Sequence, residues 1–184
     1  MALTGTRTFV GFGFGAIQAG LFLYEAYHSG AFRHLHVAEV LPSAVSAVRN
    51  AAGSYHLNVA HSDHIEHACI GPIKIEEPNQ ESDRARLIQA VSEAQEIATA
   101  VPSIHQFVSA GDGSLHRILA EGLRRKVSTN GPRAVIYAAE NHNQAAEILR
   151  LKVLSEIPDK EHNAVDHRVQ FLNSVIGKMS GIVK

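Results

Sequence analysis

From residue 7 onward, short apolar runs alternate with stretches in which apolar residues recur at helical spacing. Thr8–Phe12 predicts a first strand, and Ile17, Gly20, Leu21 and Tyr24 mark one face of a helix over Ala16–His28 that Ser29-Gly30 closes. Arg33–Ala38 predicts a second strand, stopping at Glu39. Leu41-Pro42-Ser43 opens a second helix, with Val45 and Val48 turned inward and Gly53 beyond its end. The stretch 54–76 differs. Tyr55–Val59 alternates, a polar segment follows, and Ala68–Ile75 is apolar again, which predicts short antiparallel strands inserted where a plain α/β unit has one crossover. Helical spacing returns from Ser82 to Ala94 through Leu87, Ile88 and Val91, and Ile97–Val101 reads as a buried strand ending at Pro102.

Ser109–Ser114 is a loop, with Ser114 placed to cap the helix that follows. That helix carries Leu115, Ile118, Leu119, Gly122 and Leu123 on one face and ends at Arg124-Arg125-Lys126, a solvated basic terminus. Arg133–Ala139 is a further core strand ending at Glu140-Asn141, a helix runs to about Glu156, and Val169–Ser174 forms a last strand. Strands alternating with helices of this length predict an α/β fold: a doubly wound, mostly parallel sheet covered on both faces. Ligands of such sheets sit at the carboxyl ends of the strands. At 184 residues the chain is expected to form a single domain.

The first of those strand ends is glycine-rich: Phe9-Val10-Gly11-Phe12-Gly13-Phe14-Gly15-Ala16-Ile17-Gln18. Gly13 suits a tight turn, and Gly15 lets a diphosphate approach the backbone with no Cβ in the way. The N–H groups and positive dipole end of the next helix then face the phosphates. In the G-x-G-x-x-G spacing, Gln18 stands where a third glycine normally permits close helix–strand packing, so it implies a wider gap or a side chain turned toward the ligand. Glu39 follows Gly20 by 19 residues, the expected distance for an acid that holds a ribose diol. Its charge would repel a 2′-phosphate, which favours NAD over NADP. A membrane span or signal sequence is the rival reading of Thr8–Tyr24, but the run is shorter than the roughly 20 residues needed and holds four glycines plus Gln18.

Composition changes this picture little. The chain is 45% hydrophobic and 19% charged with a net charge of −1, which argues against nucleic acid or an anionic membrane as partner. Cys69 is the only cysteine, which excludes an intramolecular disulfide; with no targeting segment read, the expected compartment is the cytoplasm. It lies in an apolar run and reads as a small core residue. Most of the 12 histidines are expected at the surface. The cluster His61-Ser62-Asp63-His64-Ile65-Glu66-His67 matches no zinc spacing and reads as an exposed polar turn, so no metal site is assigned.

Five patches taken together resemble a known family. Phe12–Gly20 resembles the F-G-x-G-N-I-G-R-G start of mannitol-1-phosphate 5-dehydrogenases and their polyol and uronate dehydrogenase relatives. Ala38-Glu39-Val40 is similar to their A-D-V, Thr99-Ala100-Val101 to T-A-V, Ala139-Glu140-Asn141 to C-E-N, and Phe171–Lys178 to F-x-[DN]-S-x-x-D-R. The resemblance implies a Rossmann-type domain with NAD as cofactor, held by Gly13, Phe14, Gly15, Ala16, Ile17, Gln18, Glu39, Val40, Thr99, Ala100, Val101, Glu140 and Asn141. It further implies that Asn173 contacts the substrate oxygen. Gly177-Lys178 departs from Asp-Arg, and the Gly111–Ser114 loop reads as an insertion. Family members continue into a helical domain whose Lys-x5-Asn-x2-His supplies the general base. Lys126–Lys184 contains no such spacing. The expectation is therefore a cofactor half, either a piece of a longer enzyme or a free-standing domain, that meets a sugar-alcohol phosphate only with a C-terminal domain. The alternatives are a non-catalytic dinucleotide-binding module or partner subunit, and a domain that takes adenosylmethionine.

Overall fold

Six parallel strands build the sheet, in a computed structural model that describes residues 5–177 and residue 181. The central strand β1, Arg7–Phe12, is buried at every position after Arg7, as expected of a strand covered on both faces. It pairs with β2 (Phe32–Ala38) on one side and β6 (Glu96–Thr99) on the other. The edge strand β5, Lys74–Glu76, lies beyond β2, while β7 (Ala134–Ala138) and β8 (Val169–Asn173) lie beyond β6. The chain thus winds outward from β1 in one direction, returns, and winds outward in the other. A cleft opens where the order reverses, at the carboxyl ends of β1 and β6.

A π-helical segment, Gln18–Leu23, runs into α1 (Tyr24–His28), and together with α2 (Pro42–Asn50) it covers one face through Phe9, Leu23, Leu35, Val37 and Val45. The opposite face is covered by α3 (Glu81–Glu93), α4 (Leu115–Ser128), α5 (Ala145–Leu154) and α6 (Asp159–Arg168). Val10, Leu87, Ile97, Ile118, Ile136 and Leu149 form that second core. Alternating burial on the two sides of one strand, Phe9 against Val10, follows from the two-residue period of the strand. Pro42 at the start of α2 needs no N–H there and supplies the right φ.

The inserted antiparallel unit is present as β3 (Tyr55–Ala60) and β4 (Ile65–Ile70). The apolar run Ala68–Ile75, however, divides at Gly71-Pro72, and its second part leaves the ribbon to become β5 of the main sheet. Cys69 is exposed rather than buried. It stands opposite His56 on the outer face of the ribbon, while Ala68 and Ile70 turn inward, so three consecutive apolar residues conceal an alternation.

The helix expected to about Glu156 is α5, which ends at Leu154. Beyond it Pro158, which has no N–H to donate, precedes a further helix, α6, that starts at Asp159 and that the sequence pattern does not mark. Lys126 is fully buried, not solvated: its Nζ donates to Ser92 O at 3.0 Å and Ala94 O at 2.6 Å. Ser114 occupies the cap position of α4, but its hydroxyl makes no cap bond; it accepts from Ser109 N at 2.8 Å and bonds His116 Nδ1 at 2.7 Å. Of the histidines, His36 and His116 are buried and the other ten are exposed or partly exposed, in line with the expectation that most lie at the surface.

Candidate functional site: a cavity at the reversal of strand order

The chain leaves β1 through Gly13, whose φ is +86° and whose N–H donates to Ala38 O at 2.9 Å. A Cβ there would lie 2.8 Å from Ala100 O, so the turn requires glycine on two counts. Gly15 is different. A Cβ at that position would meet nothing within 4 Å. Its missing side chain therefore leaves free space in front of the loop rather than relieving contact within the protein. Helical structure starts at once, with Ala19 N bonded to Gly15 O at 2.9 Å, leaving the first-turn N–H groups without helical partners.

Glu39 closes the other side. The sheet ladder continues through its N–H, which donates to Glu76 O at 3.0 Å. Glu39 is 7% exposed, and its carboxylate accepts from Phe14 N and Leu41 N, each at 2.8 Å. One bond to each oxygen leaves lone pairs on both for a ligand's hydroxyls. Between these elements lies a cavity of about 820 Å³. Of the residues assigned from sequence, Gly13, Phe14, Gly15, Ala16, Ile17, Glu39, Val40, Ala100 and Val101 line it.

Other assigned residues stand outside the lining. Gln18 is fully buried against Gly11, so its side chain packs between helix and strand and is not turned toward a ligand. Thr99 is buried under the cavity floor and donates its hydroxyl to Glu140 Oε2 at 2.9 Å; Glu140 Oε1 accepts from Val101 N at 3.0 Å. Burial pushes the Glu140 carboxyl up from the usual range, and those same hydrogen bonds pull against the shift. Glu140 thus fixes the Thr99–Val101 turn from behind. Asn141 is exposed beyond it. Asn173 ends β8 and holds the start of α5: Oδ1 accepts from Ala146 N and Nδ2 donates to Glu147 Oε2, both at 2.8 Å. Lys178, in the departure from Asp-Arg, lies outside the described residues.

Sequence reasoning missed one wall. After Pro102 the chain makes a 3-10 turn, Ile104–Phe107, and His105, Gln106, Val108, Ser109 and Gly113 line the cavity with Pro78. The signal available was Ile104 and Phe107 three apart in an otherwise unassigned stretch, too short to stand out by period.

The histidine cluster forms the β3–β4 turn. His61 stacks on His64 with ring centroids 4.5 Å apart, and His61 Nε2 lies 3.1 Å from Glu66. Among the described residues no group of three or more His, Cys, Asp and Glu side chains converges to hold a metal, and no helix is long and apolar enough to cross a membrane.

The sequence matches a family model described as the mannitol dehydrogenase Rossmann domain over residues 7–183. No curated protein matches it. Among solved structures it is similar to the Pseudomonas fluorescens mannitol 2-dehydrogenase in ternary complex with NAD and D-mannitol, with a TM-score of 0.71 and 14% identity, over 93% of this chain and 42% of that one. It is similar also to a D-sorbitol dehydrogenase in substrate-free form, with a TM-score of 0.71 and 12% identity, over 92% of this chain and 42% of that one. At these identities the likeness is one of fold. The chain spans 42% of the length of each of these two solved dehydrogenases.

Proposed function

The chain belongs to the mannitol dehydrogenase family, as its Rossmann domain, and from that premise we propose that the cavity binds NAD for hydride transfer to or from a sugar alcohol or its phosphate. The observation that carries the reading is the hydrogen bond from Phe14 N to Glu39 Oε2, which brings the glycine loop and the ribose-type acid to one place. The amides from Gly13 to Ile17 take the diphosphate, and the space in front of Gly15 admits it. Glu39 accepts the ribose hydroxyls and disfavours a 2′-phosphate. Val40, Leu41 and Val108, exposed apolar side chains on the same cavity, suit a purine. The Thr99–Val101 turn, held by Glu140, forms the floor toward the nicotinamide.

Bound NAD supplies the hydride-accepting ring; the protein's part is to place it and exclude water. Asn173, at the carboxyl end of the sheet, is assigned the substrate oxygen and would release Glu147 to make that contact. A phosphorylated polyol as substrate rests on the resemblance of the five sequence patches to mannitol-1-phosphate 5-dehydrogenases. These 184 residues hold no Lys-x5-Asn-x2-His, so they should bind the dinucleotide and turn over little, since the hydroxyl lacks a placed base.

Titration with NADH and NADPH tests this. The expected result is saturable NADH binding at millimolar concentration or below, with NADPH weaker. Glu39→Ala should weaken NADH by about tenfold and narrow the gap to NADPH, given roughly 1.5–3 kcal/mol for hydrogen bonds to a charged group. An unchanged preference removes Glu39 from the ribose site, and rapid oxidation of mannitol 1-phosphate by these residues alone contradicts the assigned division of labour.

A further inference from the structure

Glu39 and His105 are the only ionisable side chains that line the cavity among the described residues. A dinucleotide brings two phosphate charges, and Glu39 adds a third negative charge at the ribose. From Gly13 to Tyr24 the chain has no lysine or arginine. Backbone amides therefore face the diphosphate, with one side chain able to become cationic.

The position of that side chain is built into the fold. Ser103 starts the 3-10 turn, with Ser103 Oγ accepting from His105 N at 3.3 Å. Phe107, fully buried, and Ile104 anchor the turn in the apolar cluster that contains Leu115, Ile118 and Ala145. His105 and Gln106, between the two anchors, are exposed and line the cavity. The strand end leading to them lies against the glycine loop, since Ala100 O lies 2.8 Å from where a Cβ at Gly13 would be. The His105 ring has no hydrogen-bond partner among the described residues. Of the charged and titratable groups around it, Glu39 lines the same cavity and Glu140 is occupied behind Val101. The turn packs on α4 and α5. The titratable groups in the first turns of those helices do not line the cavity: His116 bonds Ser114 and Glu156, Arg117 bonds Gly111 O, and Glu147 bonds Asn173.

We infer that His105 is the side chain that faces the diphosphate, and that its charge sets dinucleotide affinity. This rests on the NAD reading of the cavity. A proton on the imidazole makes it cationic, so binding tightens as the pH falls.

The test uses ADP-ribose, which carries the same diphosphate without the nicotinamide, titrated calorimetrically into the 184-residue chain at about pH 6 and pH 8. Adenosine serves as the ligand without phosphate. The parent protein should bind ADP-ribose about fivefold tighter at the lower pH, the scale of one solvent-exposed ion pair. H105Q should bind weakly at both values, H105K tightly at both, and adenosine should show no such trend. Equal pH dependence in the parent and H105Q, or none in the parent, overturns the inference and leaves the NAD reading intact. Failure of ADP-ribose and NADH to bind at either pH overturns the NAD reading itself, and this inference with it.

Discussion

Gly11 and Gln18 are a reciprocal exchange. Where the glycine fingerprint places a small residue on the helix, this chain has Gln18, and the space is found on the strand instead: a Cβ at position 11 would overlap the Gln18 amide. The exchange costs something, because both amide atoms of Gln18 are buried without a hydrogen-bond partner among the described residues. The helix relaxes locally into the π-helical segment that begins at Gln18, and Tyr55 Oη donates to Ala19 O at 2.8 Å, bracing the segment from the ribbon. Gly11→Ala should destabilise the domain by about 1–3 kcal/mol, as overpacking does. Gln18→Met, which keeps the length and removes the orphaned amide, should stabilise it by roughly 1 kcal/mol. Urea unfolding measures both. If Gly11→Ala costs as much in a Gln18→Ala background as in the parent, the two residues are not coupled as described. The departure at Gln18 was legible in the sequence, but its partner was not. Nothing in the sequence marks which of four nearby glycines faces the glutamine until the strand's two-residue period is set against the helix.

At the scale of elements, α3 and α4 are joined by a buried cation. The carbonyls at the end of α3 have no helical partners, and Lys126 reaches from α4 to Ser92 O and Ala94 O with its charge at the negative end of the dipole. Burial nevertheless pushes its pKa down to about 8, with Arg168 acting in the same direction. The folded protein therefore releases this proton before the unfolded chain does. Between about pH 8 and 10 the unfolded state binds more protons, so stability should rise with pH, by about 2 kcal/mol across the window. Above pH 10 the partly buried Tyr55 phenol, whose pKa burial raises, acts the other way. Lys126→Met should flatten the rise in urea unfolding measured between those values; a slope equal to the parent's assigns the effect to another group. A second device guards the open edge of the sheet. Arg49 donates to Ile75 O through Nε at 3.1 Å and Nη2 at 2.9 Å, and Arg49 and Arg86 both pair with the buried carboxylates Glu76 and Asp83, so β5 offers little to another strand. Elements with strong apolar periods were legible to within one or two residues. Helix α6 was not, because Val165 is its single buried residue and its pattern is almost wholly polar.

For the whole molecule, the parallel winding does most of the positioning. Gly13 and Glu39 are far apart in sequence, and Val101 farther still, yet each follows a strand whose carboxyl end points the same way. That much of the site was readable, because alternating strands and helices fix which ends converge before any side chain is considered. The wall from His105 to Gly113 was not readable, since loop conformation depends on anchors such as Phe107 that only the finished core provides. Thr99 and Glu140 lie behind the cavity lining, where a buried carboxylate holds the turn that carries Ala100 and Val101. The central claim is that a dinucleotide lies across the loop at Gly13–Ile17 with its ribose at Glu39. Backbone amide spectra of the 15N-labelled protein, recorded through an NADH titration, test it most directly. The largest saturable shifts should fall at Gly13–Ile17, Glu39–Leu41 and Ala100–Val101. Shifts confined to other surfaces, such as the β3–β4 ribbon or the β5 edge, would contradict it.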